Sequence, residues 1–515
     1  MSYSVRVAYG RDGVDHGGQP LIRSVERPTW VGELTMRTVI FDDQRPAGLA
    51  PLAHRLASRH GHDVILVGAG CDRRPLTLME PASGTLAFES LRVPPPASPG
   101  THRYLRRYEQ SIMAGLGAHA LVERMVADGR SPDVVIARAG SGRALYLKDV
   151  CPSARLVLTD VWYEWSRGSI HDFFDAGGPT VDQACAIHAS NADRVMELGD
   201  ADWLVASSRF QLDALPRALW SKASVISAGV DLDLFRSQRG PRPRSLAGCP
   251  LADDAVVMSC VVPSFEPAFG IEQVVRAAHV LTQRRPELHV FVVGEDVVGA
   301  TPPPDGSRSW KRFLQSRLPL DAERVHFLEP LDDAARAELL AATDVFVCLT
   351  APMPLPTSLL EAMASGCTVI ASRTAPVTEV ARDGVDAVLV DFADIEALCL
   401  RVETALEAPE VHGVMARAAR RTVEARFARE RELARTVQML TDVVNGRAPH
   451  DVEGWALAGS DVDPRVERRV VAVPAGSHEL DLPDEEDAAG SDLVDPLEHG
   501  DPLDETAGTD ERDVA

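Results

Sequence analysis

No C-x-x-C pair occurs among the eight cysteines, which lie scattered between Cys71 and Cys399. That spacing excludes a zinc-knuckle site and gives no disulfide framework. Several of these thiols sit in apolar runs, where free cysteine behaves as a small hydrophobe, as in a reducing compartment. Also missing is any run of about 18 apolar residues, so no transmembrane segment is expected. The opening MSYSVRVAYGRDGVDHGG has no apolar core of signal-peptide length. No basic amphipathic helix announces a membrane surface, although a lipid-linked partner would still permit peripheral contact. A cytoplasmic chain is the expectation.

What is present is ordinary in composition and uneven in charge. Hydrophobic residues make up 45% and charged ones 25% of 515 residues, which suits a soluble globular protein with two cores rather than one. The net charge is -23, and no nucleic-acid partner is expected. Much of that charge is terminal, because residues 475–515 hold 15 acidic side chains against one basic, Arg512. Such a tail reads as solvated and disordered.

The most informative stretch is DVFVCLTAPMPLPTSLLEAMASGCTVIASRTAPVTEVARDGVDAVLVDFADIE, from Asp344 to Glu396. Val345 to Leu349 is an apolar run too short for a helix, as expected of a buried parallel strand. After Pro352, Pro354 and Pro356, Thr357-Ser358 offer an N-cap for a helix from Leu359 to Ala364. Gly366 ends that helix, and Thr368 to Ala371 is the next strand. A short helix is expected from Glu379-Val380, then a turn at Asp383-Gly384 and a strand from Ala387 to Val390. Similar units open at Met36 to Phe41, where a loop, a helix from Leu52 to Arg59 and a strand from His62 to Val67 follow. Repetition of strand, loop and helix predicts an α/β chain of two Rossmann-like domains facing across a cleft. Ligands are expected at the carboxyl ends of the strands.

The phrase Ser358-Leu359-Leu360-Glu361-Ala362-Met363, with Thr374-Ala375-Pro376-Val377, resembles the donor-binding segment of family 4 glycosyltransferases. The likeness extends more weakly over residues 36–445. It implies a GT-B-like fold, and a metal-independent, retaining transfer of a hexose from a nucleotide-sugar to a saccharide or lipid-linked acceptor. No cofactor or metal is implied, since the nucleotide-sugar is a co-substrate. By the same resemblance, residues 36–228 form the acceptor domain and 229–428 the donor domain. Residues 429–447 form a helix returning to the first domain, 1–35 are an extension and 448–515 the tail.

Glu361 would grip the ribose hydroxyls, as a carboxylate accepting two hydrogen bonds can. The amides of Thr357, Ser358 and Leu359 would face the diphosphate, with Thr374 and Pro376 in the neighbouring loop. Gly48, in Pro46-Ala47-Gly48, matches a glycine loop beside the transferring sugar. Catalytic candidates are His102, Arg138, Arg143 and Glu164. His102 is either a cleft residue or a structural hydrogen-bonder. Arg138 and Arg143 stand where the nearest branch has a histidine and a glutamate. Glu164 lies among Trp162, Tyr163 and Trp165, which suit either a sugar face or a packed seam.

One departure is severe. In Pro263-Ser264-Phe265-Glu266-Pro267-Ala268-Phe269-Gly270, Pro263 and Phe269 occupy the positions of two diphosphate-binding cations. Met353, eight residues before Glu361, replaces a glutamate found in many members. A silent relative that binds a nucleotide-sugar or a partner therefore stands as the alternative to an enzyme, with a sugar-nucleotide epimerase as a third reading.

Overall fold

The computed structural model describes residues 35–42, 48–69, 84–92, 95–174, 177–236, 243–297, 303–307 and 309–449. The extension before Thr35, Pro46-Ala47 and the acidic tail lie outside them.

Two parallel sheets organise the chain. In the first, β1 (Arg37–Phe41), β2 (Asp63–Ala69), β3 (Thr85–Leu91), β4 (Val134–Arg138), β5 (Arg155–Thr159), β6 (Trp203–Ala206) and β7 (Ala223–Val225) run in the order β3-β2-β1-β4-β5-β6-β7. Val39 pairs with Ile65 on one side and Val135 on the other. The central strands are apolar almost throughout because helices cover both faces. Of these helices, α1 (Ala50–Ser58), α2 (Arg106–Ala127), α3 (Ala192–Asp200) and α4 (Arg209–Ala214) bear on the argument below.

In the second sheet, β8 (Val256–Ser264), β9 (Leu288–Glu295), β10 (Val325–Leu328), β11 (Val345–Cys348), β12 (Thr368–Ser372) and β13 (Val388–Val390) run in the order β10-β9-β8-β11-β12-β13. Its helices include α5 (Asp333–Ala342), α6 (Thr357–Ser365) and α7 (Ala375–Thr378). Each sheet reverses strand order once, between β1 and β4 and between β8 and β11. Those reversals open a crevice at the carboxyl ends of the strands. The final helix described, α8 (Arg429–Val444), returns to the first sheet. There Val437, Met439, Leu440 and Val443 share a core with Ile40, Leu52, Leu56 and Trp203.

Two local expectations shift. Helix α6 begins at Thr357, with Pro356 at the N-cap, because the Ser358 hydroxyl donates to the Val261 carbonyl (2.8 Å) instead of capping. The short helix expected from Glu379 lies earlier, at Ala375–Thr378, because Pro376 sits in its first turn, where a fixed φ favours helix. Helix α2 starts at Arg106, since Ser98 and Thr101 give their hydroxyls to Glu109 and hold the preceding segment as a turn. No helix among the described residues is long and apolar enough to cross a membrane.

Candidate functional site

At the β8/β11 reversal, α6 points its N-terminus into the crevice. Ser358 through Ser365 are all buried, so the helix meets solvent only at Thr357, and no side chain caps it. Its leading amides and the positive end of its dipole are what the crevice offers an anion. Thr374 is 6% exposed and spends its hydroxyl on the Thr350 carbonyl (3.1 Å), which also accepts from Ser372 (2.9 Å). Those bonds fix the loop leading into Pro376, which is itself buried. Leu359 lies wholly in the core, and its amide, expected to face the diphosphate, instead donates to the Pro356 carbonyl (3.3 Å) across the first turn of the helix.

Glu361 sits one turn inside α6 and is almost fully buried. Both of its oxygens accept from one guanidinium, with Arg336 Nε at 2.6 Å and Nη2 at 3.0 Å. Arg336 also reaches Asp333 (2.8 Å). Burial pushes the Glu361 carboxyl upward against the pull of Arg336. Burial also opposes the charge on Arg336, yet Glu361 and Asp333 hold it above its ordinary value. The two-pronged contact is that of an ion pair. Each carboxylate oxygen keeps one further lone pair, so Arg336 orients Glu361 without exhausting it. Sequence reasoning missed Arg336, which lies on a different helix with no spacing signal to connect it.

Across the crevice, Gly48 packs against Asp42 at the end of β1. The Asp42 carboxylate accepts from the Leu49 amide at 2.5 Å, and a methyl group on Gly48 would lie 2.0 Å from its Oδ2. Asp42, also missed, belongs to an Asp pair directly after a core strand. Arg138 ends β4, half-buried and paired with Asp160 (2.9 Å). Asp160 has a φ of 49° and accepts from Ser207 Oγ (2.6 Å). A non-glycine residue held there costs free energy, and such strain gathers at functional sites.

The other candidates part company. Arg143 is 2% exposed and donates to the Ala114 carbonyl (3.2 Å), which places it beneath α2. His102 is exposed, with its ring edge against Tyr104 (4.8 Å between centroids), in a surface cluster with Asp182. Glu164 lies between His171 (3.2 Å) and Arg194 (3.5 Å). Burial pushes Glu164 up, but the His171 hydrogen bond and the Arg194 charge outweigh it and hold the carboxyl below its ordinary value. Trp162 packs on Phe210 (5.6 Å), and Trp165 Nε1 donates to the Ala214 carbonyl (2.6 Å), so both tryptophans bear on α4. Pro263 is exposed, and Phe269 is buried in the second domain's core.

Glu197 on α3 accepts from the amides of Gly140 (2.5 Å) and Ala144 (3.2 Å), filling the loop after β4. Burial pushes its carboxyl up to about 7. Its folded pKa is raised, so its contribution to stability is complete below the unfolded value near 4.5 and is lost as pH rises through 7. Replacing Glu197 with glutamine is expected to flatten the fall in melting temperature between pH 4.5 and 7 relative to the parent. Equal slopes in the two proteins would refute the assignment.

The chain resembles known proteins along both sheets. Residues 77–235 match the family described as "Glycosyl transferase family 4 group" and residues 252–422 "Glycosyl transferases group 1". A D-inositol 3-phosphate glycosyltransferase 2 of Catenulispora acidiphila is 28% identical over 212 residues, 41% of this chain and 49% of that protein. A D-inositol 3-phosphate glycosyltransferase of Mycobacterium avium is 30% identical over 199 residues, 39% of this chain and 44% of that one. The chain thus spans about half the length of these relatives. Among solved structures, Anabaena HepE in complex with UDP-glucose superposes with a TM-score of 0.56 at 19% identity, over 79% of this chain and 100% of HepE. Sucrose-phosphate synthase from Thermosynechococcus elongatus gives 0.59 at 18%, over 80% and 100%. These two likenesses show a shared GT-B architecture.

Proposed function

The chain belongs to the family 4 glycosyltransferases, and from that premise we propose that it moves a hexose from a nucleotide-sugar to a saccharide or lipid-linked acceptor. The observation that carries the reading is the uncapped N-terminus of α6 at the strand reversal, with the Glu361 carboxylate one turn inside it. A nucleotide diphosphate needs donors at its phosphates and acceptors at its ribose, and this helix supplies both. The amides of Thr357 and Ser358 would face the diphosphate, since that of Leu359 donates to the Pro356 carbonyl (3.3 Å), and Glu361 would take the ribose hydroxyls through its remaining lone pairs. On the first domain, Gly48 lets the Asp42 carboxylate close against its backbone, where any side chain would collide. HepE, solved with UDP-glucose, supports a sugar-nucleotide donor, and the relatives named D-inositol 3-phosphate glycosyltransferases support glycosyl transfer.

The reaction we propose is retaining and metal-independent. Without cations at Pro263 and Phe269, the charge developing on the leaving diphosphate falls to the α6 dipole. Arginines of the first domain would assist, and Arg138 at the end of β4 is the candidate. Calorimetric titration with UDP-, GDP- and ADP-hexoses tests this, followed by transfer assays with saccharide and lipid-linked acceptors. Saturable binding of one donor is expected. No binding of any of them at millimolar concentration would overturn the reading, and binding without transfer would favour a silent nucleotide-sugar binder.

A further inference from the structure

One carboxylate joins the two domains beside the crevice. Glu379 follows directly on α7, in the second domain, yet its Oε1 accepts from the Arg209 amide (2.6 Å) and its Oε2 from the Phe210 amide (2.9 Å) at the start of α4, in the first. Ser208 caps the same helix through the Gln211 amide. The leading amides of α4 are therefore divided between a residue of its own domain and one from across the seam. On its own side Glu379 is fixed twice. The Arg426 side chain donates to its carbonyl (3.2 Å), and the backbone N–H of Glu379 itself closes α7 onto the Ala375 carbonyl (3.2 Å).

What lies at either end of this contact gives it meaning. Behind Glu379 is the loop of Thr374 and Pro376, on the donor side. Behind α4 is Ser207, whose hydroxyl holds Asp160, the residue with positive φ that pairs with Arg138. Polar contacts joined by short lengths of backbone thus link the donor-side loop to the strand ends of the opposite domain. A second contact steadies the seam, where Phe173 and Phe174 of the first domain meet Phe392 of the second (5.1 and 5.6 Å). The apolar contact can slide, whereas the two-pronged carboxylate is directional.

We infer that Glu379 is a positioning residue, which sets Thr374 and α7 against the Asp160–Arg138 pair and so fixes the distance between donor and first-domain groups across the crevice. The inference rests on the glycosyltransferase reading above. In the Glu379→Gln variant one oxygen becomes an amide nitrogen, which cannot accept from the backbone, so one prong is lost with almost no change of volume. The test measures hydrogen exchange at the Arg209 and Phe210 amides together with transfer kinetics of the full chain. Exchange at one or both amides is expected to rise at least roughly tenfold as local opening becomes easier. Meanwhile kcat is expected to fall roughly 10–100-fold, with the donor KM changed by less than about threefold, because misplacement affects the reacting geometry more than ground-state binding. A Glu379→Asp variant, which keeps the charge on a shorter arm, is expected to recover part of kcat.

Unchanged exchange and unchanged kcat would overturn the inference. So would a loss confined to melting temperature, which would mark Glu379 as structural only. If the parent protein transfers nothing, the glycosyltransferase reading fails by itself. The exchange arm still decides whether the contact ties the domains.

Discussion

Replacing Glu361 with alanine is expected to abolish donor binding and to destabilise the second domain by about 3–5 kcal/mol, because Arg336 is left charged and largely buried with Asp333 as its remaining carboxylate partner. The two losses have different causes, and a second variant separates them. Removing both partners, as Glu361→Ala with Arg336→Leu, takes the uncompensated charge away as well. Exchanging a buried pair for apolar groups of similar volume is often neutral or stabilising, so the double variant should regain most of the urea midpoint. It should not regain donor affinity, because no carboxylate remains for the ribose. Arg336→Leu alone leaves Glu361 buried and unpaired. Since burial already pushes that carboxyl upward, this variant is expected to protonate it, to lose stability and to bind donor weakly. A double variant that recovered both stability and donor binding would show that Glu361 serves the fold and not the ligand. Calorimetry and urea unfolding on the four proteins complete the cycle.

The contrast between Glu361 and its partner shows what a linear sequence reveals. Glu361 stands in a run whose punctuation is local, with prolines before the helix and Gly366 after it, so both the helix and the carboxylate near its start were readable. Arg336 sits 25 residues earlier on a neighbouring helix, and only the packing of α5 on α6 gives the pair a reason to exist. The same holds for Glu379 and α4, separated by 170 positions. Strands buried on both faces announced themselves as apolar runs, β1 and β11 among them. The edge strand β3, TLAFESL, did not, because much of it is exposed and its composition is mixed. Charge was visible but its destination was not. Arg138 and Arg143 look equivalent in sequence, yet one ends a strand at the crevice and the other is carried under α2. The turn between them decides that difference.

That turn is also where the largest backbone effect is expected. Gly142 has a φ of 75°, and a methyl group there would lie 2.3 Å from the Ser111 carbonyl oxygen and 2.5 Å from the Ser111 Cα. Both atoms belong to the backbone of α2, a 22-residue helix that cannot yield at one position. Gly142→Ala therefore adds an overlap with main chain to the ordinary cost of a left-handed alanine, and about 3–5 kcal/mol of destabilisation is expected. Gly129 isolates the second term. It has a similar φ of 70° but nothing within 4 Å of an added methyl, so Gly129→Ala should cost only about 1 kcal/mol. The displacement at Gly142 should also be felt by Glu197, whose carboxylate holds the amides of Gly140 and Ala144 on either side. If α2 and the loop are forced apart, those amides move away and the pH dependence of melting assigned to Glu197 should weaken in the same variant. Equal midpoints for the two alanine variants would mean that α2 does not press on this turn, and the burial of Arg143 beneath that helix would need another cause.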